Sequence, residues 1–142
     1  MSLVTILASA ARTTSSTSST VSIHPRTRSL AFHLQITNAA TDAADTLNVY
    51  LQSSPNGTDW DDFVSFTQVL GNGADSLNYV AFVNLEEYQS SQVHAMQNGA
   101  LSAETIVQGP IFPSYVRAKY VIADSGDGDQ SFTFSLTMTE VR

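Results

Sequence analysis

The segment TLNVYLQSSPNGTDWDDFVSFTQV, residues 46–69, decides how the chain folds. Its first part, Thr46–Ser53, sets Leu47, Val49 and Leu51 against Asn48, Tyr50 and Gln52. That two-residue alternation marks a half-buried strand. Its second part, Trp60–Val69, carries Trp60, Phe63, Val64, Phe66 and Val69. Between them, Ser54–Asp59 contains Asn56-Gly57, the dipeptide best suited to a tight hairpin because both residues accept positive φ. Pro55 narrows the backbone just before the turn. The reading is an antiparallel hairpin on which the other strands pack or pair.

Upstream, Arg28–Thr37 alternates Leu30, Phe32, Leu34 and Ile36 with Ser29, Ala31, His33, Gln35 and Thr37, so His33 belongs to the polar face. Asn38–Asp45 is small and polar and reads as a loop. Downstream, Leu70–Gly73 is a turn, and Asp75–Asn84 holds a strand around Tyr79, Ala81 and Val83. From Leu85 to Gly99 the alternation stops. Leu85, Tyr88, Gln92 and Met96 fall near helical spacing, so the spacing predicts a short helix or an irregular excursion ending at Gly99. Gly109-Pro110 and Pro113 punctuate a return to sheet. Tyr115–Ala123 and Ser131–Val141 alternate again, joined by the loop Asp124–Gln130, and read as a long hairpin. The last strand has one apolar face and one row of Ser and Thr, which favours strand and resists adhesion.

Six to eight mostly alternating strands with Gly, Pro and Asn turns point to an all-β antiparallel sandwich or jelly roll. The expected core is Leu30, Phe32, Leu34, Ile36, Leu47, Val49, Leu51, Phe63, Phe66, Val116, Phe132, Phe134 and Leu136. A chain of 142 residues is one domain, able to bury roughly 68% of its unfolded surface. The expected organisation is a flexible N-terminal arm over residues 1–27 and a single sandwich over 28–142, with an excursion over about 73–109. In the arm, Leu3–Leu7 suits an edge strand. Thr13–Thr20 is low-complexity and polar, a loop or a segment ordered only against a partner, and Val21–His24 is a short strand stopped by Pro25. The apolar stretch Leu3–Ala11 lacks the preceding positive charge of a secretion signal and reads as strand.

Charge narrows the function. The chain has no cysteine, so neither disulfides nor thiolate metal sites are expected. No apolar run approaches the roughly 20 residues of a membrane-spanning helix. The net charge is −7, divided as +3 over residues 1–41 and −10 over the rest. An acidic body lacks the basic face of a nucleic-acid binder, while Arg12, Arg26 and Arg28 suit an arm lying on an acidic neighbour.

Sites of chemistry are weakly signalled. Asp124, Asp127 and Asp129 gather in one loop, but their spacing is not that of a helix–loop–helix calcium loop, so the loop reads as a turn and no metal is assigned. Ser54–Trp60 has the outline of a sialidase-type Asp-box with Asn56 in the acid's place, but it occurs once, where a propeller repeats it. Asn56-Gly57-Thr58 also matches a glycosylation acceptor, which has no use without secretion. His24, His33 and His94 sit in no nucleophile elbow. Asp61 and Asp62 are adjacent on a strand and would point to opposite faces. No enzyme and no cofactor are therefore expected. Tyr50, Trp60, Tyr115 and Tyr120 are the aromatics that could stack on a sugar.

The stretch VYLQSSPNGTDWDDFVSFTQVLGNG resembles one found in small head proteins of tailed bacteriophages. There, a strand ending in Q-S-S-P-D-G-T-x-W leads to D-x-x-x-F-T-Q and a glycine. The opening LVTILASAARTTSSTSS and the close, YVRAKYVI followed by a Ser/Gly/Asp turn and SFTFSLTMTEV, are similar as well. Two departures stand out: Asn56 replaces the usual Asp, and residues 73–109 are longer than in compact relatives. The resemblance implies a capsid decoration, or cement, protein. Its relatives are jelly-roll-like homotrimers on the outer surface of the virion head that tie major capsid protein subunits together. It further implies contacts through Arg12, Arg26 and Arg28 of the arm and through Leu85, Tyr88, Val93 and Met96 of the excursion. The alternatives are a carbohydrate-binding or receptor-binding module, and a tail or neck component of the virion.

Overall fold

The computed structural model describes residues 2–73, 76–86, 93–106 and 111–142. Ten strands form over Ser2–Arg12 (β1), Ser16–Thr17 (β2), Ser29–Asn38 (β3), Thr46–Ser53 (β4), Asp61–Ser65 (β5), Val69–Leu70 (β6), Leu77–Asn84 (β7), Thr105–Ile106 (β8), Val116–Ala123 (β9) and Phe132–Val141 (β10). They make two antiparallel sheets, one ordered β1-β10-β3-β7 and the other β2-β9-β4-β5-β8 with β6 also on β4. The fold is an all-β sandwich with no helix among the described residues.

The alternation read from the sequence sets which side chains enter the space between the sheets. All thirteen expected core residues are buried, joined by Val64, Ala81, Val83, Ala118 and Met138. Phe32 and Phe63 meet across that space with ring centroids 6.0 Å apart.

Three expectations change. The last two strands do not pair: β9 hydrogen-bonds β4 and β2, while β10 lies between β1 and β3 in the other sheet. Each has one apolar face, and two such faces bury more by opposing each other across the core than by lying side by side. Tyr120 of β9 accordingly meets Phe134 of β10 edge-on at 5.4 Å. The segment read as a flexible arm is built into the sandwich. β1 pairs with β10 from Ser2↔Glu140 to Arg12↔Phe132 through two irregularities, and it buries Ile6 and Leu7. Ser16–Thr17 then pairs with β9, and Val21 bridges Val116. Serines of the polar tract supply bonds that an apolar tract could not: Ser18 Oγ accepts from Ala118 N at 2.9 Å, and Ser15 Oγ from Ile122 N at 2.8 Å. The third only narrows: of the two readings of the excursion, a short helix or an irregular segment, the described residues 93–99 follow the irregular one, and Tyr88 lies outside the described residues.

The organising hairpin forms with a longer connection than the Asn-Gly pair suggested. Ser53 pairs with Asp61, so residues 54–60 make the loop. Only Gly57 there has positive φ, at 78°. Asn56 instead folds the loop with its side chain, since Oδ1 accepts from Thr58 N and Asp59 N, both at 2.9 Å. Ser54 Oγ accepts from Gly57 N at 2.8 Å. An amide that satisfies successive N–H groups replaces the strained turn.

Candidate interaction surface

The outer face of the β1-β10-β3-β7 sheet is laid out by its register. One row reads Leu3, Thr139, Ala31 and Phe82; the next reads Thr5, Thr137, His33 and Val80; a third contains Ser135, Gln35 and Asn78. None of these residues is Asp, Glu, Lys or Arg, although the chain carries −7. Leu3, Val80 and Phe82 stand out into solvent at 71%, 70% and 60% exposure. His33 Nε2 is 2.8 Å from Asn78 Oδ1, which ties β3 to β7 across the face. Hydroxyl residues along β10, Ala31, His33 and Gln35 along β3, and large apolar residues at both margins make a surface without charge, which is cheaper to dehydrate than a charged one.

The opposite sheet is covered where the excursion returns. Asp62 is fully buried and accepts from Gly99 N and Ala100 N at 2.9 Å, Leu101 N at 3.1 Å, and Gln52 Nε2 at 2.7 Å. Gln52, also fully buried, accepts from Arg117 Nε at 2.9 Å and donates to Asn98 Oδ1 at 2.8 Å. Asp61 accepts from Gln97 N at 2.9 Å, and His94 Nε2 lies 2.7 Å from its other oxygen. Burial raises the Asp61 pKa above the usual carboxylate range, against the opposing bond to Gln97 and the His94 contact. The two adjacent acids thus do act together, on successive residues of one loop. The signal for this was Gln52 opposite Asp62 on the outward face of the hairpin, but the loop they hold is more than thirty residues away in sequence. The carboxylate–imidazole pair resembles the rear half of a nucleophilic triad, yet no hydroxyl among the described residues hydrogen-bonds His94.

The loop acids also assemble differently from the expectation. Asp127 and Asp129 are joined by Asp42 and Asp45, with ligand atoms all within 4.8 Å, while Asp124 instead accepts from Gly128 N at 3.1 Å. Asp45 is buried and held by Thr41 Oγ1, Asp42 N and Ser125 N. The Thr41 hydroxyl bond lowers its pKa to about 2. A bond shared with Asp127 raises Asp129 to about 6. An all-oxygen set of this kind has the chemistry of a hard divalent cation site.

The implied contact residues divide. Arg26 and Arg28 are exposed and line a groove of about 430 Å3 with Arg142 and Glu86. Val93 is fully exposed and Met96 is 44% exposed. Leu85 instead joins the core. Arg12 is consumed internally: its guanidinium donates to Ala8 O and Phe134 O at 2.7 Å and lies 4.6 Å from the Phe134 ring centroid. The sugar-stacking candidates are mostly covered too. Tyr50, Trp60 and Tyr120 are nearly buried, and the Arg117 guanidinium sits 4.0 Å over the Trp60 ring, leaving Tyr115 at 38% exposure.

Compared with known proteins, the chain matches no family model, no curated protein and no solved structure.

Proposed function

We propose that this protein is an adhesion module without chemistry of its own: a decoration protein that binds the outer surface of a tailed-phage head and ties neighbouring major capsid subunits together. The observation that carries the reading is the uncharged outer face of the β1-β10-β3-β7 sheet on a chain of net charge −7. Such a face can meet another rigid surface without burying an unpaired charge, and its exposed Leu3 supplies apolar area at one margin. The resemblance in residues 49–73 and in both ends of the chain supplies the kind of partner. The sugar-binding alternative is weakened because Trp60 lies under Arg117.

The test is addition of the purified protein to phage heads lacking decoration, followed by sedimentation. Saturable binding to heads is expected. Thr137→Glu and His33→Glu, which place a carboxylate in the middle of the face, should weaken it by at least about tenfold, or roughly 1.4 kcal/mol. Binding only to tails or necks, or binding indifferent to both variants, refutes the reading.

A further inference from the structure

We propose that two copies of this chain join edge to edge through β7, extending the β1-β10-β3-β7 sheet across a two-fold axis. Strand β7 is LNYVAFVN, Leu77–Asn84. Among the described residues it hydrogen-bonds only β3, so the backbone groups on its other side have no strand partner. Folded proteins blunt such edges with bulges, charges, proline or shortness, because an open edge templates pairing. The other sheet edges here are blunted in these ways. β1 is broken by two irregularities, and the Arg12 guanidinium occupies the carbonyls of Ala8 and Ala10. β2 and β8 are two residues long. β7 has eight residues and contains no charge, proline or glycine.

Charge and side-chain pattern favour a second copy of this chain as the occupant. Two chains of −7 repel each other over most of their surfaces, and β7 is a strip where two copies meet without any like charge in register. Centred on Ala81, antiparallel pairing sets Val80 against Phe82 of the second copy, and Phe82 against its Val80. The four large side chains then form one cluster on the outer face, where they are now 70% and 60% exposed. Tyr79 faces Val83 of the second copy on the inner side. A groove of about 340 Å3 lies beside β7, lined by Tyr79 and Val80 on one side and by Val64, Phe66, Thr67 and Glu104 on the other. A two-fold joint is self-complementary by construction.

The two-fold joint does not depend on which surface the protein decorates, but it replaces the trimer that the resemblance implies. Analytical ultracentrifugation of the full chain at about 100 μM, a concentration that populates micromolar complexes, should give twice the 15.3 kDa mass of one chain. Val80→Lys and Phe82→Lys change exposed side chains, so both should melt like the parent but sediment as single chains. Hydrogen exchange gives a second readout: β7 amides should gain protection as concentration rises, and β1 amides should not. A single-chain mass overturns the proposal. So does a threefold mass, which the resemblance implies and a two-fold joint cannot close. A doubled mass that survives both lysines, or equal protection of β1 and β7, overturns it as well.

Discussion

Asp62→Ala tests whether one buried carboxylate holds the excursion onto the sandwich. The Asp62 side chain receives four donors, three of them consecutive backbone N–H groups of Gly99, Ala100 and Leu101 and the fourth the amide of Gln52. After truncation, the exposed Ala100 and the half-buried Gly99 can turn to water, losing about 1 kcal/mol each. Leu101 is 6% exposed and Gln52 fully buried; their donors are left unpaired at about 1–3 kcal/mol each. Removing the carboxylate also removes its own dehydration cost. The net expectation is about 3–5 kcal/mol, the range seen when one partner of a buried charged set is deleted. For a domain of this size, that lowers the melting temperature by about 6–20 °C. Asp62→Asn keeps one acceptor and should fall between the alanine variant and the parent.

Two measurements check this together. Calorimetry or circular dichroism gives the melting temperature, with Asp124→Ala as control; Asp124 is exposed and, among the described residues, accepts only from Gly128 N, so its loss should cost less than about 0.5 kcal/mol. Hydrogen exchange at residues 99–101 gives the local effect, which should be loss of protection in Asp62→Ala. If that variant melts within about 3 °C of the parent while the three amides stay slow, the loop is held by something other than Asp62 and the reasoning fails.

The remaining predictions concern the same framework. Gly99 has φ of 72°, and an added Cβ would lie 3.0 Å from Lys119 Cε and Nζ, so Gly99→Ala should destabilise by about 1–2 kcal/mol in a urea titration. Arg12→Ala removes the bond to Phe134 O and the contact with the Phe134 ring and should cost about 1–2 kcal/mol by the same assay. Deleting residues 2–12 removes a strand that buries Ile6 and Leu7 over β10, so the truncated chain should lose its cooperative melt, not merely its attachment to a partner. For pH, Asp129 is raised to about 6 from 3.8, so the folded protein keeps a proton that the unfolded chain releases, and this group's contribution should fall as pH rises from about 4 to 6. Asp45, lowered to about 2, works oppositely: its contribution is present above about 4 and is lost as pH falls toward 2. Asp129→Asn should flatten the first slope in pH-dependent melts and leave the second.

How much of this was legible in the sequence follows from the range of each interaction. A two-residue alternation reports which side of a strand is apolar, and nothing more is needed to assign Leu30, Val49 or Phe134 to the core. It does not report which sheet a strand joins. β9 and β10 look like a hairpin because they are adjacent in sequence, yet the same apolar faces that suggest pairing are what drive them to opposite sides of the core. The N-terminal segment misleads for a related reason. Its Ser and Thr residues resemble a solvated linker, but Ser15 and Ser18 accept from β9 along the edge that β2 pairs with, a partner about a hundred residues away. Alternation alone does not show that Asp61 and Asp62 share a partner, because that partner is an irregular loop, residues 97–101, that meets both carboxylates.

The acidic residues also look different once placed. In the sequence, thirteen acids on 142 residues read as a diffuse solubilising charge. In the fold, two of them, Asp61 and Asp62, are buried anchors for the loop at 97–101. Four others, Asp42, Asp45, Asp127 and Asp129, crowd together where β3 and β10 turn over toward the other sheet. Glu140 is buried and accepts from His24 N at 3.1 Å, fastening the segment before β3. These acids thus lie in loops or are buried as anchors, while the three rows on the outer face of the β1-β10-β3-β7 sheet carry none. A protein under pressure only to remain soluble would scatter charge over its broad faces first, since that is where self-association begins. A neutral strand face with Leu3, Val80 and Phe82 exposed on it therefore fits the proposed role of a surface that a partner covers.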